Sequence, residues 1–165
     1  MNWYVLYVLS HKSNKIVSNL NRRKELIAFV PKCEAIERTS REKTIKVMFD
    51  NYIFVKTDLE QSKFSDLLLS MKDMNDGLIR QLKNAEVSAL RDDEIKFFNT
   101  VLDNHYVVRV SQGYKENGKT IITSGPLVHY QDHIVKVNKH NCTAYLDLTF
   151  FERKIIVGIE LKSKN

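Results

Sequence analysis

The sequence predicts an α+β fold: an antiparallel sheet with flanking helices, followed by a small β-barrel. Three observations predict it. Asn2–Leu9 is a run of aromatic and branched residues, the composition of a buried strand. Three later segments carry apolar residues at helical spacing. After about Asn104 the helical period disappears, and short alternating runs separated by glycines take its place.

In order along the chain, Asn2–Leu9 is the first strand rather than a signal peptide, since it lacks a basic n-region and a small-residue cleavage site. Ser10 or Ser13 is expected to cap a helix reaching about Lys24, with Ile16, Val17 and Leu20 on one side. Lys12, Lys15, Arg22 and Arg23 form a basic stripe on the adjoining side, which an ordinary solvated helix face also explains. Leu26–Pro31 and Lys32–Arg38 read as one strand continuing outward. A charged tip, residues 37–43, carries Arg38, Arg41 and Lys43, and Thr44–Lys56 returns as the second strand of a hairpin. Phe64, Leu67, Leu68 and Met71 predict an amphipathic helix over 60–72, and Leu78–Leu82 a short strand after the turn at Asn75-Asp76-Gly77. Asp92, Asp93 and Glu94 suit a helix N-terminus, with Ile95, Phe98 and Leu102 as its core face. The barrel strands are read as Tyr106–Val110, Thr120–Thr123, His133–Val137, Thr143–Leu148 and Lys154–Leu161, punctuated by Gly113, Gly118, Gly125-Pro126 and Gly158. This places a domain over 1–104 and the barrel over 105–165, with the boundary within about 99–118.

Charge divides the same way. Residues 1–46 carry 10 Lys/Arg against 4 Glu, residues 47–105 carry 7 basic against 11 acidic, and residues 106–165 carry 9 basic against 5 acidic. Two basic surfaces separated by an acidic one imply more than one kind of partner, where a uniform basic coat would imply nonspecific polyanion binding. Lys136, Lys139, His140, Arg153 and Lys154 mark the basic surface of the barrel. No apolar run approaches the roughly 20 residues of a membrane helix. Cys33 and Cys142, far apart in sequence, fit buried thiols in a reducing cytoplasm better than a disulfide framework or zinc site.

His129, Tyr130, Asp132 and His133 fall within five positions and invite a metal or catalytic reading. A metal site needs at least three convergent ligands, and a catalytic one a nucleophile, a base and an orienting group. Gly125-Pro126 before the cluster and the alternation after it favour a turn, with Asp132 a residue that tolerates left-handed backbone. The pairs Asp92-Asp93 and Asp73/Asp76 are explained by helix-dipole chemistry and a polar loop, and no phosphate-binding glycine loop or HExxH occurs. No enzymatic activity, metal or cofactor is expected. The aromatic residues are more telling: Trp3, Tyr4 and Tyr7 on the first strand, Phe49, Tyr52 and Phe54 on the return strand. Core packing accounts for most of them, yet tyrosines beside a basic helix also make a partner surface.

Asn2-Trp-Tyr-Val-Leu-Tyr7 followed by a basic helix resembles the opening of the NusG N-terminal (NGN) domain. Met48-Phe-Asp-Asn-Tyr-Ile-Phe-Val55 resembles that domain's second signature, and Leu90-Arg-Asp-Asp-Glu-Ile95 its last helix start. Ile122–Val137 resembles the KOW motif, with Gly125, Pro126, His129 and Asp132 in its turn, and Val157-Gly-Ile-Glu-Leu161 its final strand. The similarity covers nearly the whole chain in order. The Ser-Gly-Pro-Leu turn and the Val-Gly-Ile-Glu-Leu ending lean toward specialised LoaP-like antiterminators, with RfaH a more distant relative.

The resemblance implies an NGN-like domain followed by an SH3-like barrel. It implies a monomeric transcription antitermination or elongation factor that docks on the clamp helices of RNA polymerase through an aromatic pocket matching Tyr7, Phe49, Tyr52 and Phe54. Lys63, Phe64, Ser65 and Asp66 stand where the family touches the opposite side of the cleft. Nascent RNA, such as a structured leader, or non-template DNA would recruit the factor, and the barrel would meet ribosomal protein S10, Rho or RNA. The protein would act in the cytoplasm at the nucleoid, without membrane contact. An RNA-binding protein acting at the ribosome without polymerase contact is the alternative. Asp50 replaces a usual proline and should alter the local turn while leaving the pocket. His129 and Asp132 replace usual glycines, and the two histidines are expected exposed on the loop. An RfaH-like helical state of the barrel is disfavoured by the branched and aromatic residues in 138–156.

Overall fold

The structure, a computed structural model, describes residues 1–83 and 90–163. The elements run β1 (Asn2–Val8), a 3-10 turn (Ser10–Lys12), α1 (Ser13–Asn21), β2 (Leu26–Phe29), β3 (Lys32–Ile36), β4 (Lys43–Val47) and β5 (Tyr52–Thr57). There follow α2 (Gln61–Ser70), a 3-10 turn (Lys72–Met74), β6 (Leu78–Leu82), α3 (Asp92–Val101) and β7 (Val107–Val108). The last part is β8 (Ser111–Glu116), β9 (Lys119–Ser124), two 3-10 turns (Pro126–His129 and Gln131–His133), β10 (Ile134–Asn138), β11 (Thr143–Phe150) and β12 (Arg153–Leu161). The fold is α+β, as the alternation of patterns predicts. Contacts divide the chain into two compact units: Met1–Pro31 with Phe49–Lys96, and Lys32–Met48 with Phe97–Asn165. No helix among the described residues is long and apolar enough to cross a membrane.

The first unit is a four-stranded antiparallel sheet of order β2-β5-β1-β6. Residues along a strand alternate between faces, so Tyr4, Leu6 and Val8 of β1 and Ile53 and Val55 of β5 share one side. There they form a core with Ile16 and Leu20 of α1 and Phe64, Leu67 and Met71 of the α2 region. The helix start departs from expectation. The chain enters α1 through a 3-10 turn, and Ser13 Oγ donates back to the Ser10 carbonyl (2.9 Å) instead of accepting from a helix N–H. The helix ends at Asn21, short of Lys24, because the Asn21 amide bridges both the N–H (2.7 Å) and the carbonyl (2.9 Å) of Ala28 and fixes the turn into β2.

The two long hairpin strands of the prediction are each broken. Pro31 has no N–H to extend a ladder, and it separates β2 from β3. Asn51, at φ 72°, turns the chain between β4 and β5. The inner halves, β2 and β5, pair in the first unit, and the outer halves, β3 and β4, pair in the second.

The second unit contains a curled five-stranded sheet of order β10-β11-β12-β8-β9, with β12 and β8 parallel and the other pairs antiparallel. Leu127, Ala144, Leu146, Phe150, Ile155, Val157 and Ile159 are buried here. Residues 143–150 and 153–161 are strands, in keeping with the disfavoured helical state. The expected first barrel strand, Tyr106–Val110, is replaced by the two-residue β7, which runs parallel to β3 in a second, three-stranded sheet of order β4-β3-β7. The barrel instead begins at β8. Gly113, expected between strands, and Gly158, expected within the last one, both lie inside strands, where close backbone approach excludes a side chain. A Cβ on Gly113 would collide with the Ile121 carbonyl, and one on Gly158 would sit 2.5 Å from the Glu34 carbonyl oxygen.

Candidate functional site

The sheet face opposite the helices is aromatic. Alternation in β1 and β5 turns Trp3, Val5 and Tyr7, and Tyr52 and Phe54, to this side, and register sets Tyr7 opposite Tyr52 and Phe29 opposite Phe54. Six rings make a continuous chain. Tyr7 meets Tyr52 edge-on at 6.3 Å, Tyr52 stacks on Phe49 at 5.8 Å, and Phe49 lies parallel to Phe54 at 6.3 Å. Phe54 then meets Phe29 at 5.6 Å and Trp3 at 6.4 Å. The four residues singled out from sequence, Tyr7, Phe49, Tyr52 and Phe54, are therefore one cluster. They are not equally accessible: Phe49 (2%), Tyr52 (6%) and Phe54 (0%) are buried, and Tyr7 is half-buried.

Cations sit against the rings. Lys56 Nζ lies 4.6 Å from the Trp3 centroid and 5.3 Å from that of Phe29, and burial pushes its ammonium below the usual lysine range. The Arg80 guanidinium is 5.9 Å from the Tyr7 ring. Sequence reasoning missed Phe29, Lys56 and Arg80 because their membership depends on strand register; only the shared parity of Trp3 and Tyr7 was visible in the sequence.

The segment Lys63–Asp66 does not present four residues together. Lys63 and Asp66 are exposed, and Ser65 Oγ lies 2.8 Å from Gln61 Nε2. Phe64 points the other way, fully buried and stacked on Tyr4 at 4.4 Å with 9° between the ring planes. The helical period puts Phe64 with Leu67 and Met71, so its place is the core.

The basic residues separate by environment. Lys12 is half-buried in the 3-10 turn and bonded to Asp76 at 3.2 Å. Lys15 is exposed on α1, and Arg22 and Arg23 lie past the helix end, Arg23 bonded to Glu25 at 3.2 Å. Arg38 and Lys43 are exposed on the β3–β4 hairpin. Arg41, in left-handed backbone at φ 61°, brings Nη1 to 3.4 Å from Cys142 Sγ. In the barrel, Lys136 Nζ lies 5.3 Å from the Tyr145 centroid, Lys139 and His140 are exposed between β10 and β11, and Arg153 and Lys154 begin β12.

The Gly125–His133 stretch is a pair of 3-10 turns. Gly125, at φ 102°, lies against Ser111, where a Cβ would come within 2.6 Å of the Ser111 Cα, so glycine is required there. Pro126 starts the first turn, and the Leu127 N–H donates to Ser111 Oγ (3.0 Å). Asp132 does not take the expected left-handed conformation. It lies in the second 3-10 turn, because the chain reverses through two short helical turns and needs no positive φ after Gly125. His129 is exposed. His133 is half-buried, its Nδ1 2.8 Å from Asp147 Oδ1, so it is tied to β11 rather than free on the loop. Among the described residues no three His, Cys, Asp or Glu side chains converge as a metal site would need.

A search of curated proteins returns no match. A family model described as transcription termination factor NusG matches residues 1–99. The matched span includes the aromatic face, both helices packed behind it and most of α3. It covers more than half of the sequence, and the chain belongs to the NusG family.

Proposed function

We propose that this protein is a transcription antitermination factor that binds RNA polymerase and promotes readthrough of terminators, recruited by a nucleic-acid element such as a structured leader RNA. NusG-family proteins are non-catalytic transcription elongation and termination factors that bind RNA polymerase. The observation that carries the finer reading is the six-ring aromatic face within the matched span, with Arg80 beside Tyr7. A half-exposed Tyr7 backed by five buried rings, with Arg80 beside it, suits a helical hairpin such as the polymerase clamp helices, because a tyrosine held rigid by packing anchors an interface at low entropic cost.

In this reading residues 1–104 dock on polymerase and residues 105–165 are a KOW domain of the LoaP-like type, its barrel starting at β8. Tyr7 makes the direct contact, since Phe49, Tyr52 and Phe54 are buried and pack behind it. Lys63, Ser65 and Asp66 meet the far side of the cleft, and Phe64 holds their helix in place. Lys12, Lys15, Arg22 and Arg23 near α1, Arg38, Arg41 and Lys43 of the hairpin, and Lys136, Lys139, His140, Arg153 and Lys154 of the barrel engage nascent RNA or non-template DNA, while the KOW surface takes ribosomal protein S10 or Rho. The protein acts as a cytoplasmic monomer at the nucleoid.

The test is in vitro transcription through an intrinsic terminator placed behind a structured leader, with pull-down of core polymerase by the purified protein. Increased readthrough and polymerase capture are expected, with the increase lost when the leader is scrambled. Absence of both overturns the reading, and RNA binding without polymerase capture would favour action at the ribosome.

A further inference from the structure

The β3–β4 hairpin groups with the C-terminal unit, not with the sheet whose strands it prolongs. Several connections hold it there. β3 runs parallel to β7 through Lys32↔Val107 and Cys33↔Val108. The Glu34 carboxylate accepts from the Val110 N–H (3.0 Å) and from Arg109 Nη1 (3.3 Å), and Arg109 Nε donates to Asp103 at 2.7 Å. Gly158 of β12 brings barrel backbone against the Glu34 carbonyl so closely that a Cβ would lie 2.5 Å from that oxygen. At the far end, Arg41 Nη1 reaches Cys142 Sγ at 3.4 Å, and the same sulfur lies 3.7 Å from the Lys139 carbonyl.

These contacts bring the hairpin tip beside the β10–β11 turn, although Arg41 and Cys142 are 101 residues apart in sequence. Arg38, Arg41 and Lys43 on the tip and Lys139 and His140 on the turn are all exposed. Glu37 and Glu42 are the acidic residues of the tip, so four Lys/Arg face two Glu. The inner carboxylate, Glu34, is already paired with Arg109. A flexible tip carrying the same cations would bind polyanions weakly, because ordering it costs conformational entropy. Cations from two segments fixed against each other can match successive phosphates without that cost.

We propose that the hairpin tip and the β10–β11 turn form one composite surface for the phosphodiester backbone of a nucleic acid, with Arg41 and Lys139 at its centre. This rests on the nucleic-acid recruitment proposed above and specifies where it occurs. The surface exists only while the Glu34 clasp and the Gly158 approach hold the hairpin on the barrel. Sequence alone presents the tip and the barrel as two separate basic patches; they become one through the fold.

The experiment is a binding titration of the full chain with a fluorescent single-stranded RNA and, separately, a duplex DNA of the same sequence, across a range of salt. Arg41→Ala and Lys139→Ala are each expected to weaken binding about three- to tenfold and to lower the slope of log affinity against log salt by about 0.7–0.9. Glu34→Gln and Gly158→Ala, which remove no cation, should weaken binding to a similar degree by releasing the hairpin. Thermal melting of both identifies any variant that has simply unfolded, and Glu34→Gln, which keeps the side-chain shape, serves alone if Gly158→Ala does not fold. Lys119→Ala, on the β8–β9 hairpin, should stay within twofold of the parent. The tighter of the two probes identifies the backbone that is bound. The proposal is overturned if Arg41→Ala and Lys139→Ala leave both affinities unchanged, if Lys119→Ala costs as much as they do, or if neither probe binds. Polymerase capture, measured on the same preparations, separates the two readings: a parent protein that binds nucleic acid through Arg41 and Lys139 but captures no polymerase sinks the antitermination reading and leaves this one standing.

Discussion

Tyr4 and Phe64 stack nearly parallel, ring centroids 4.4 Å apart, and join the middle of β1 to the first turn of α2. The Tyr4 hydroxyl is satisfied as well, donating to the Leu59 carbonyl at 2.8 Å just before α2. The pair thus sets where α2 lies on the sheet, and with it the exposed Lys63 and Asp66. It also shows why a position expected to touch a partner is a core position: its neighbours in the helical period are buried.

Phe64→Ala should therefore act on stability before function. Removing a fully buried aromatic side chain costs about 3–5 kcal/mol, readable as a drop in denaturant midpoint. Tyr4→Phe keeps the stack and loses one hydrogen bond, at about 1 kcal/mol. If Phe64→Ala melts like the parent yet loses polymerase capture, Phe64 is a contact residue after all.

Tyr7→Ala tests the aromatic face more cleanly than Phe54→Ala. Tyr7 is half-buried and Phe54 fully buried, so truncating Phe54 opens a cavity. Polymerase affinity should fall about tenfold or more in Tyr7→Ala, within the range of an interface anchor, while the melting temperature changes little. Pull-down against a melting curve separates the two effects.

The glycines of the barrel should respond unequally. Gly113→Ala drives a Cβ into the Ile121 carbonyl of the paired strand, and the chain should fold poorly or lose several kcal/mol. Gly118, at φ +77° in the β8–β9 turn, has open space around it, so Gly118→Ala should cost only about 1 kcal/mol of backbone strain. Chemical denaturation of both variants checks the order.

Asp103 should make stability depend on acid. Burial pushes its carboxyl up, but hydrogen bonds from Arg109, Val107 and His105, with the Arg109 charge, outweigh burial and hold it below the usual carboxylate range. A depressed pKa means stability that is present above the unfolded value, near pH 4, and is lost as pH falls through the folded value. Asp103→Asn should lower the midpoint at pH 7 and flatten the decline below pH 4. An unchanged slope in that window would show that Asp103 contributes nothing to it.

Much of the local structure was legible. Apolar spacing at Phe64, Leu67 and Met71 located α2, and the acids at Asp92–Glu94 located the start of α3, where the Arg91 N–H also donates to Glu94 Oε1 at 3.0 Å. Tyr7, Phe49, Tyr52 and Phe54 come from the resemblance to the NGN domain, whereas strand parity, a local property, groups only Tyr7 with its strand neighbour Trp3. Trp3 could be added by the same parity, but Phe29 could not, since its place depends on which strand β5 pairs with. The long hairpin strands were read as continuous because Pro31 and Asn51 act on partner choice, which no single-strand pattern reveals. Gly113 departs from the expectation for a related reason: a glycine that breaks a strand and one that admits a neighbouring backbone look the same in one dimension.

By itself the sequence determined the fold class, most of the helices and strands, the aromatic face and the family. The fold class and most elements follow from periodicity and residue type, which act within a few residues, and the family and its aromatic set from the resemblance of short motifs to the NGN domain. Only the tertiary structure decided that Phe64 belongs to the core, that β7 pairs with the hairpin, that the barrel begins at Ser111, and that Arg41 lies against the Cys142 loop. Each of these depends on contacts between distant segments, whose closure is set by packing and backbone hydrogen bonding across the whole unit rather than by any local preference.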